Sequence, residues 1–378
     1  MPYKKKSLAL HKKLKGKIEI TSKMKVTTMD ELSTVYTPGV GAVSMAIRKN
    51  INKSWEYTNR GNQIAIVSDG TAVLGLGNIG PEAGMPVMEG KSMIFKEFAG
   101  IDAVPLCIAT TDPDEIVKFC KYIAPSFGGI NLEDISAPRC FEITDRLEKE
   151  LDIAFFHDDQ DGTAIVVLAA LINACRVTNK SIKDCKVVIN GAGAAGIAIT
   201  RLLLTQGFRD IILIDSICSI YKGRKGLNKY KKDISLKTNK QKIKGRLEEV
   251  LVGADVFIGV SISNLVDAKM IKYMNPEPII FAMANPIPEI MPDKALKAGA
   301  SIVGTGRSDF PNQINNALVF PGLFKGLLEG WKTRVTMEMK IAVALAIAYS
   351  VKPTKNKILP SILDRKVVDK IAEAVKRK

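Results

Sequence analysis

The sequence predicts an α/β protein: an N-terminal α/β domain, then a doubly wound, mostly parallel sheet, then a C-terminal helical segment. Three observations carry this. From residue 63 onward, short β-branched runs alternate with helical runs, the pattern of parallel strands joined by helical crossovers. At 378 residues the chain is long for one hydrophobic core, so two domains are expected. And the glycines of GAGAAG, 191–196, stand between an apolar strand and an unbroken helix, the context in which such glycines cradle a pyrophosphate. The seam is placed after His157, which gives domains of 1–157 and 158–378.

The elements follow in order. The first 25 residues are lysine-rich and are expected to be irregular or helical at the surface. Thr28 or Asp30 can cap a short helix; YTPGVG must turn at Pro38, Gly39 and Gly41; VGAVSMAIRKN resumes as helix. NQIAIVSDG reads as a strand by its alternation and β-branched content. PVMEGKSMIFKEFAG is helix and DAVPLCIAT strand. DPDEIVKFCKYIAPSFG is helix, opened by Asp112 as cap and Pro113 at its first position. GGINLEDIS is a strand running into a loop, APRCFEITDRLEKEL is helix, and DIAFFHDD is strand. The second series starts with the helix GTAIVVLAALINACRVTN, the strand KVVIN, the glycines, the helix IAITRLLLTQG and the strand DIILIDS. A lysine-rich excursion, 222–245, precedes the strands ADVFIGV, PIIFAMA and ASIVGTG. VTMEMKIAVALAIAYSV and VVDKIAEAVKRK close the chain as helices.

Composition excludes several classes. No apolar run reaches the roughly 18 residues of a membrane-spanning helix, the longest being AIVVLAALINAC, 164–175. The basic start has no apolar h-region, so no signal peptide is expected. Six cysteines, at 107, 120, 140, 175, 185 and 218, are scattered without a CxxC, and there are two histidines. This gives no tetrahedral zinc set and implies reduced, mostly buried thiols in a cytoplasmic protein. The formal net charge is +16, mostly lysine. One reading of that charge, from a different class, is a nucleic-acid-binding protein built on a degenerate Rossmann domain. Aromatic residues are not interleaved with the lysines, so no base-stacking platform is evident, and a solvated lysine-rich surface is preferred. Neither a nucleic acid nor a membrane is expected as partner; the positive field suits a small anionic substrate.

The pattern GxGxxG occurs twice, and context separates the copies. After Gly191, Ala192, Gly193, Ala194, Ala195 and Gly196 a clean helix begins. Asp215 ends the next strand roughly 20 residues further on, where an acid can hydrogen-bond the adenosine ribose. The helix N-terminus offers free N–H groups to the pyrophosphate. This makes 158–378 a Rossmann-like, NAD(P)-binding domain. The first copy, GLGNIG at 75–80, is followed by Pro81, Gly84 and Pro86, which should spoil a helix, so a tight loop is expected there. Ser216 and Ile217 follow Asp215 with no adjacent cation for a 2′-phosphate, which favours NAD; Lys222 and Arg224 are near enough to keep NADP open.

Acids gather at two other strand ends: Glu133 with Asp134, and Asp158 with Asp159 and Asp161, the latter three just after His157. Adjacent carboxylates repel, and burying them unpaired is costly. With no zinc-type ligands near, they fit a hard cation such as Mg²⁺ or Mn²⁺. The competing reading pairs them with Arg139 or with lysines, and for Glu133, Asp134 and Asp159 the pattern alone leaves the two readings even. Asp161 is expected to cap the helix that follows.

Seven segments, YTPGVG, GLGNIG…GMPVMEGK, NLEDISAPRCFEI, FFHDDQDGTAIV, GAGAAG, FAMANPIPE and NNALVFPG, taken in order over nearly the whole chain, resemble the malic enzymes, in their short bacterial form. The resemblance implies oxidative decarboxylation of L-malate to pyruvate and CO₂ with reduction of NAD, or of NADP, and dependence on Mg²⁺ or Mn²⁺. It implies Tyr36 as the proton donor to carbon and Lys91 as the general base, in contact with substrate. Asp158 is implied as the acid supporting Lys91, Glu133, Asp134 and Asp159 as metal ligands, and Asn285 and Asn316 as substrate-binding. To act as a base Lys91 must be neutral, so a pKa depressed by burial and neighbouring charge is expected. The resemblance also implies a homodimer, with Tyr36 or its helix a candidate for reaching across the interface.

The chain departs from the family pattern at several points. Ala72 stands where long animal-type members have a substrate-binding arginine, Asp161 stands where His or Gln is usual, and GVSISN lacks the usual ending. A malolactic-type enzyme, which keeps NAD bound and releases lactate, is the alternative within the same superfamily.

Overall fold

The computed structural model describes residues 3–73 and 75–378. In it the expected strands form a four-stranded and a five-stranded sheet. The first contains β1 (Gln63–Ser68), β2 (Asp102–Cys107), β3 (Gly129–Leu132) and β4 (Ala154–His157), in the order β2-β1-β3-β4. The second contains β5 (Lys186–Asn190), β6 (Asp210–Ile214), β7 (Val256–Gly259), β8 (Ile279–Ala282) and β9 (Ile302–Thr305), in the order β6-β5-β7-β8-β9. Every strand pair is parallel. Helices cover both faces, which is why most residues of β1 and of β3 to β9 are buried on either side of the sheet. Strand order reverses beside β1 in one sheet and beside β5 in the other, and the crevice past the carboxyl ends of such strands is where doubly wound folds bind ligands.

The helix Thr163–Val177 joins the two sheets and is buried from Ala164 to Cys175. Its all-round apolarity is a packing requirement, since it meets the helices Ala194–Thr205 and Met337–Ala348 inside the main core. The chain then returns to the first sheet. Phe320 and Phe324 lie with ring centroids 4.7 and 5.5 Å from Phe95, and Phe324 also meets Phe156 edge-on. A single hydrophobic cluster thus draws on both sheets and on the last helices.

One local expectation is corrected. The helix after GLGNIG starts at Pro81 and runs to Ala99, straight through Pro86. Pro81 occupies the first position, where no N–H is needed. The bond lost at Pro86 is offset by burying Met88, Ser92 and Phe95 against the sheet, a case of packing overriding propensity. The N-terminal arm is helical as expected, with helices at Tyr3–Leu14, Met29–Val35 and Val40–Lys49, the second capped reciprocally by Thr28 and Glu31. None of the three buries a residue, although they carry Leu8, Leu10, Met29, Val35 and Met45.

Candidate active site

Acidic residues lie just past the ends of three neighbouring strands of the first sheet. After β3, the Glu133 N–H continues the ladder to the Val67 carbonyl at 2.9 Å. Asp134 then adopts a left-handed φ of 54°, which Asp tolerates better than most residues, and its N–H donates to Asp159 Oδ2 at 2.8 Å. After β4 the chain enters one π-helical turn, Asp158–Gly162, closed by the Thr163 N–H on the Asp158 carbonyl. Turns of this type recur at functional sites. A β-carbon at Gly162 would lie 1.9 Å from Asp158 Oδ1, so only glycine fits there.

The turn sends its three aspartates in three directions. Asp158, fully buried, accepts from Lys91 Nζ. Asp159 faces Asp134 and Glu133, and the three carboxylates each offer an oxygen within 4.8 Å of one another. Asp161 does not cap the following helix; its Oδ2 pairs with Lys340 Nζ at 2.7 Å. Lys91 projects from the helix Pro81–Ala99, is 8% exposed, reaches Glu133 Oε2 at 2.5 Å and lies 4.4 Å from the centre of the Phe320 ring. Asn131 Nδ2 donates to the same Glu133 oxygen at 2.9 Å.

Burial pushes the Asp134 carboxyl up to about 8, with Glu133 adding to the shift. It pushes Asp158 up to about 7 against the opposing charge of Lys91, and it raises Asp159 well above the carboxylate range. Asp134 Oδ2 is buried without a partner. Repelling, desolvated carboxylates with an orphaned oxygen and no thiolate or imidazole in the set suit a hard divalent cation. The residues therefore fit the group expected from the sequence. The competing partner, Arg139, is committed elsewhere: its guanidinium holds Asp69 Oδ2, Thr71 Oγ1, Ser136 Oγ and the Thr111 carbonyl.

The expectation of a depressed Lys91 is corrected. Burial pulls its pKa down, but Asp158 and Glu133 together push it further up, and the net shift is above an ordinary lysine. Two carboxylates facing one ammonium account for the sign.

His157, which no sequence signal singled out beyond its position, is fully buried with neither ring nitrogen hydrogen-bonded, its Nδ1 lying 3.9 Å from Asp159 Oδ2. Burial, assisted by the charge on Lys91, holds it down to about 3. A folded-state pKa below the unfolded value of about 6.5 means that its stabilising contribution is whole above that pH and is lost as pH falls toward the folded value. Between roughly pH 7.5 and 5.5 the wild type should lose about 1.4 kcal/mol more than His157→Asn, read as urea unfolding free energies. Equal losses in the two proteins would contradict a neutral buried histidine.

In the second sheet, Gly193 caps the helix Ala194–Thr205 without a side chain on its first N–H groups, and the space around Gly193 is open. A β-carbon at Gly196 would lie 1.7 Å from the Gly191 carbonyl oxygen, so the helix can approach the β5 turn only with glycine there. Asp215 is more occupied than expected. Its carboxylate takes both Arg224 Nη2 contacts, at 2.8 and 2.7 Å, Lys231 Nζ at 2.8 Å, and the N–H groups of Ile217 and Cys218. The first glycine segment is a loop, as expected, and a β-carbon at Gly75 would meet the Asn285 carbonyl, so this loop of the first half touches the Asn285 turn of the second. Asn285 is exposed. Asn316 lies against the π-helical turn at Gly162. Tyr36 is 66% exposed on the N-terminal arm, away from the buried Lys91 cluster.

The sequence reading missed Asp69, Asn131, Phe320 and Lys340. Asp69 had a usable signal, since it too follows a strand directly. Asn131 lies two residues before Glu133 on β3; Phe320 and Lys340 are brought in by long-range packing.

Fold and site together define a nicotinamide-dependent oxidoreductase class: a Rossmann-like half beside an acid cluster that holds a buried lysine. Two family models match the chain, the malic enzyme N-terminal domain over residues 15–148 and the malic enzyme NAD binding domain over residues 160–378. A bifunctional malic/malolactic enzyme of Bacillus subtilis is 52% identical, with 99% of this chain and 92% of the relative covered. An NAD-dependent malic enzyme of Geobacillus stearothermophilus is 53% identical, with 95% and 76% covered. The crystal structure of an NAD-dependent malic enzyme from Thermotoga maritima superposes with a TM-score of 0.96 at 47% identity, covering 98% of both chains. The chain belongs to the malic enzyme family.

Proposed function

We propose that this protein oxidises and decarboxylates L-malate to pyruvate and CO₂ with reduction of NAD(P), using Lys91 as base and Tyr36 as acid. The observation that supports it best is the group of buried Lys91, Glu133, Asp134 and Asp158 with half-buried Asp159, beside the helix that the cofactor glycines open. A divalent cation, Mg²⁺ or Mn²⁺, held by Glu133, Asp134 and Asp159 would supply Lewis-acid polarisation of an α-hydroxy acid and, by drawing on Glu133, relieve Lys91 of one of its two carboxylates. Lys91, neutral once its ammonium proton has passed to Asp158, takes the C2 hydroxyl proton while the C2 hydride goes to NAD(P), and Asp158 keeps its Nζ in place. Once C2 is a ketone, the C4 carboxylate is β to it and departs as CO₂, and Tyr36 returns a proton to C3. Asn285 and Asn316 hold a substrate carboxylate through N–H donors without adding charge. Gly191 to Gly196 receive the cofactor pyrophosphate.

NAD is the cofactor proposed from the sequence. The two cations on Asp215, Arg224 and Lys231, favour NADP as a second acceptor, and fluorescence titration with NADH and NADPH measures the preference. We place the protein in the cytoplasm as a homodimer. Three arm helices that bury nothing yet expose many apolar residues are suited to a second copy, and a second copy can bring Tyr36 to a Lys91. Tyr36→Phe should lower kcat about 100-fold with an unchanged melting temperature. Mixing it with Lys91→Ala subunits should restore part of the activity. Retained kcat in Tyr36→Phe would remove Tyr36 from the chemistry.

A further inference from the structure

Asp161 has no part in the chemistry above, yet it is paired on a helix from the far end of the chain. Its carboxylate and Lys340 Nζ are 2.7 Å apart, with side chains 18% and 12% exposed. Lys340 belongs to the helix Met337–Ala348, which packs on Thr163–Val177 and on Arg365–Lys376. The surroundings of the pair are acidic. Glu148, on the helix Arg139–Glu150, is pushed up by burial, with Asp161 and Asp145 adding to the shift and Lys340 and Arg201 opposing it; Asp145 is bonded by Tyr230. Asp161 also acts on Asp158 through its charge. Lys340 is the cation in contact with Asp161.

We propose that Asp161 and Lys340 form a positioning pair that fixes the π-helical turn, and with it the aim of Asp158 at Lys91 and of Asp159 at the cation site. Four side chains of one five-residue turn are tied to four separate elements: Asp158 to the helix Pro81–Ala99, Asp159 to the Asp134 turn, Gln160 to Thr144 on the helix Arg139–Glu150, and Asp161 to the helix Met337–Ala348. Of these ties, that of Asp161 is the one to the C-terminal helices, so the pair fixes the position of the turn against them. Lys340 also offsets part of the charge of the third aspartate, which still acts on Asp158.

The inference rests on the cation reading above, and its test separates the two. Mn²⁺ binding to the full chain, without malate or cofactor, is read from the electron paramagnetic resonance signal of free Mn²⁺. Positioning predicts that Lys340→Met and Asp161→Asn both weaken Mn²⁺ about tenfold, the lower end of what losing a supporting partner costs a metal site, and that Lys340→Arg stays near the wild type. A pair acting only through its field predicts opposite signs: Lys340→Met adds net negative charge and tightens binding, while Asp161→Asn weakens it. Opposite signs, or unchanged binding in both, overturn the proposal. Should Lys340→Met fail to fold, the near-isosteric Asp161→Asn and the conservative Lys340→Arg decide it, because weakening in the first with retention in the second supports positioning and no change in the first overturns it. A wild type that binds no Mn²⁺ overturns the cation reading itself.

Discussion

Lys91→Ala lowers kcat by about 10³-fold, within the range for loss of a general acid–base group, while NADH and NADPH bind as they do to the wild type. The two halves of that result come from different parts of the molecule. Lys91 Nζ is the cation held between Glu133 and Asp158, and once it has passed a proton to Asp158 its lone pair is where a substrate hydroxyl can leave its proton. The cofactor glycines lie on β5 and the following helix, in the other sheet. Removing one partner of a buried ion pair costs about 3–5 kcal/mol, so Lys91→Ala is also less stable, by an amount reduced to the extent that Asp158 and Glu133 take up protons. Melting temperature and cofactor titration together separate a dead but folded enzyme from a collapsed one. Unchanged turnover would falsify the assignment of Lys91 as base.

Asp159→Asn moves activity and metal-free stability in opposite directions. The substitution removes a charge from the triad, and Mn²⁺ affinity falls at least about 100-fold, the upper end of what even a supporting partner costs. Turnover at fixed, low Mn²⁺ falls with it. Without metal the sign reverses. A carboxyl whose folded pKa is raised favours folding fully only below its unfolded pKa, and that contribution is lost as pH rises through the folded value. Asp134, Asp158 and Asp159 are all raised, so at pH 8 the metal-free wild type carries repulsion that Asp159→Asn relieves. Metal-free Asp159→Asn therefore melts above the metal-free wild type, and added Mn²⁺ raises the melting temperature of the wild type far more. A variant that is less stable without metal, and that still gains from Mn²⁺ as the wild type does, would contradict a repulsive acid triad.

Much of the cofactor half was legible because its signals are local. An apolar strand, glycines at fixed spacing and a helix after them fall within one short segment, and the packed contact of Gly196 on Gly191 is what that spacing encodes. The acids at Glu133, Asp134, Asp158 and Asp159 were legible as strand-end carboxylates. What the pattern could not show was their direction. A π-helical turn and an ordinary N-cap have the same local composition, so Asp161 read as a cap and is in fact paired with Lys340, far along the chain. Pro86 read as a helix breaker because the burial that holds its helix depends on the sheet beneath it. Lys91 read as depressed because burial was anticipated, whereas two carboxylates on one ammonium were not. Asp215 read as a free ribose acceptor, since its partner Lys231 lies in the lysine-rich excursion, whose course the sequence left open.

Product stoichiometry tests the central claim most directly. With L-malate, Mn²⁺ and either NAD or NADP, pyruvate and free reduced cofactor should appear one for one, and chelation of the metal should stop both. The bifunctional naming of the Bacillus subtilis relative makes the contrary outcome concrete: lactate formed with no net reduced cofactor would contradict an oxidative decarboxylase and assign the malolactic reaction in its place.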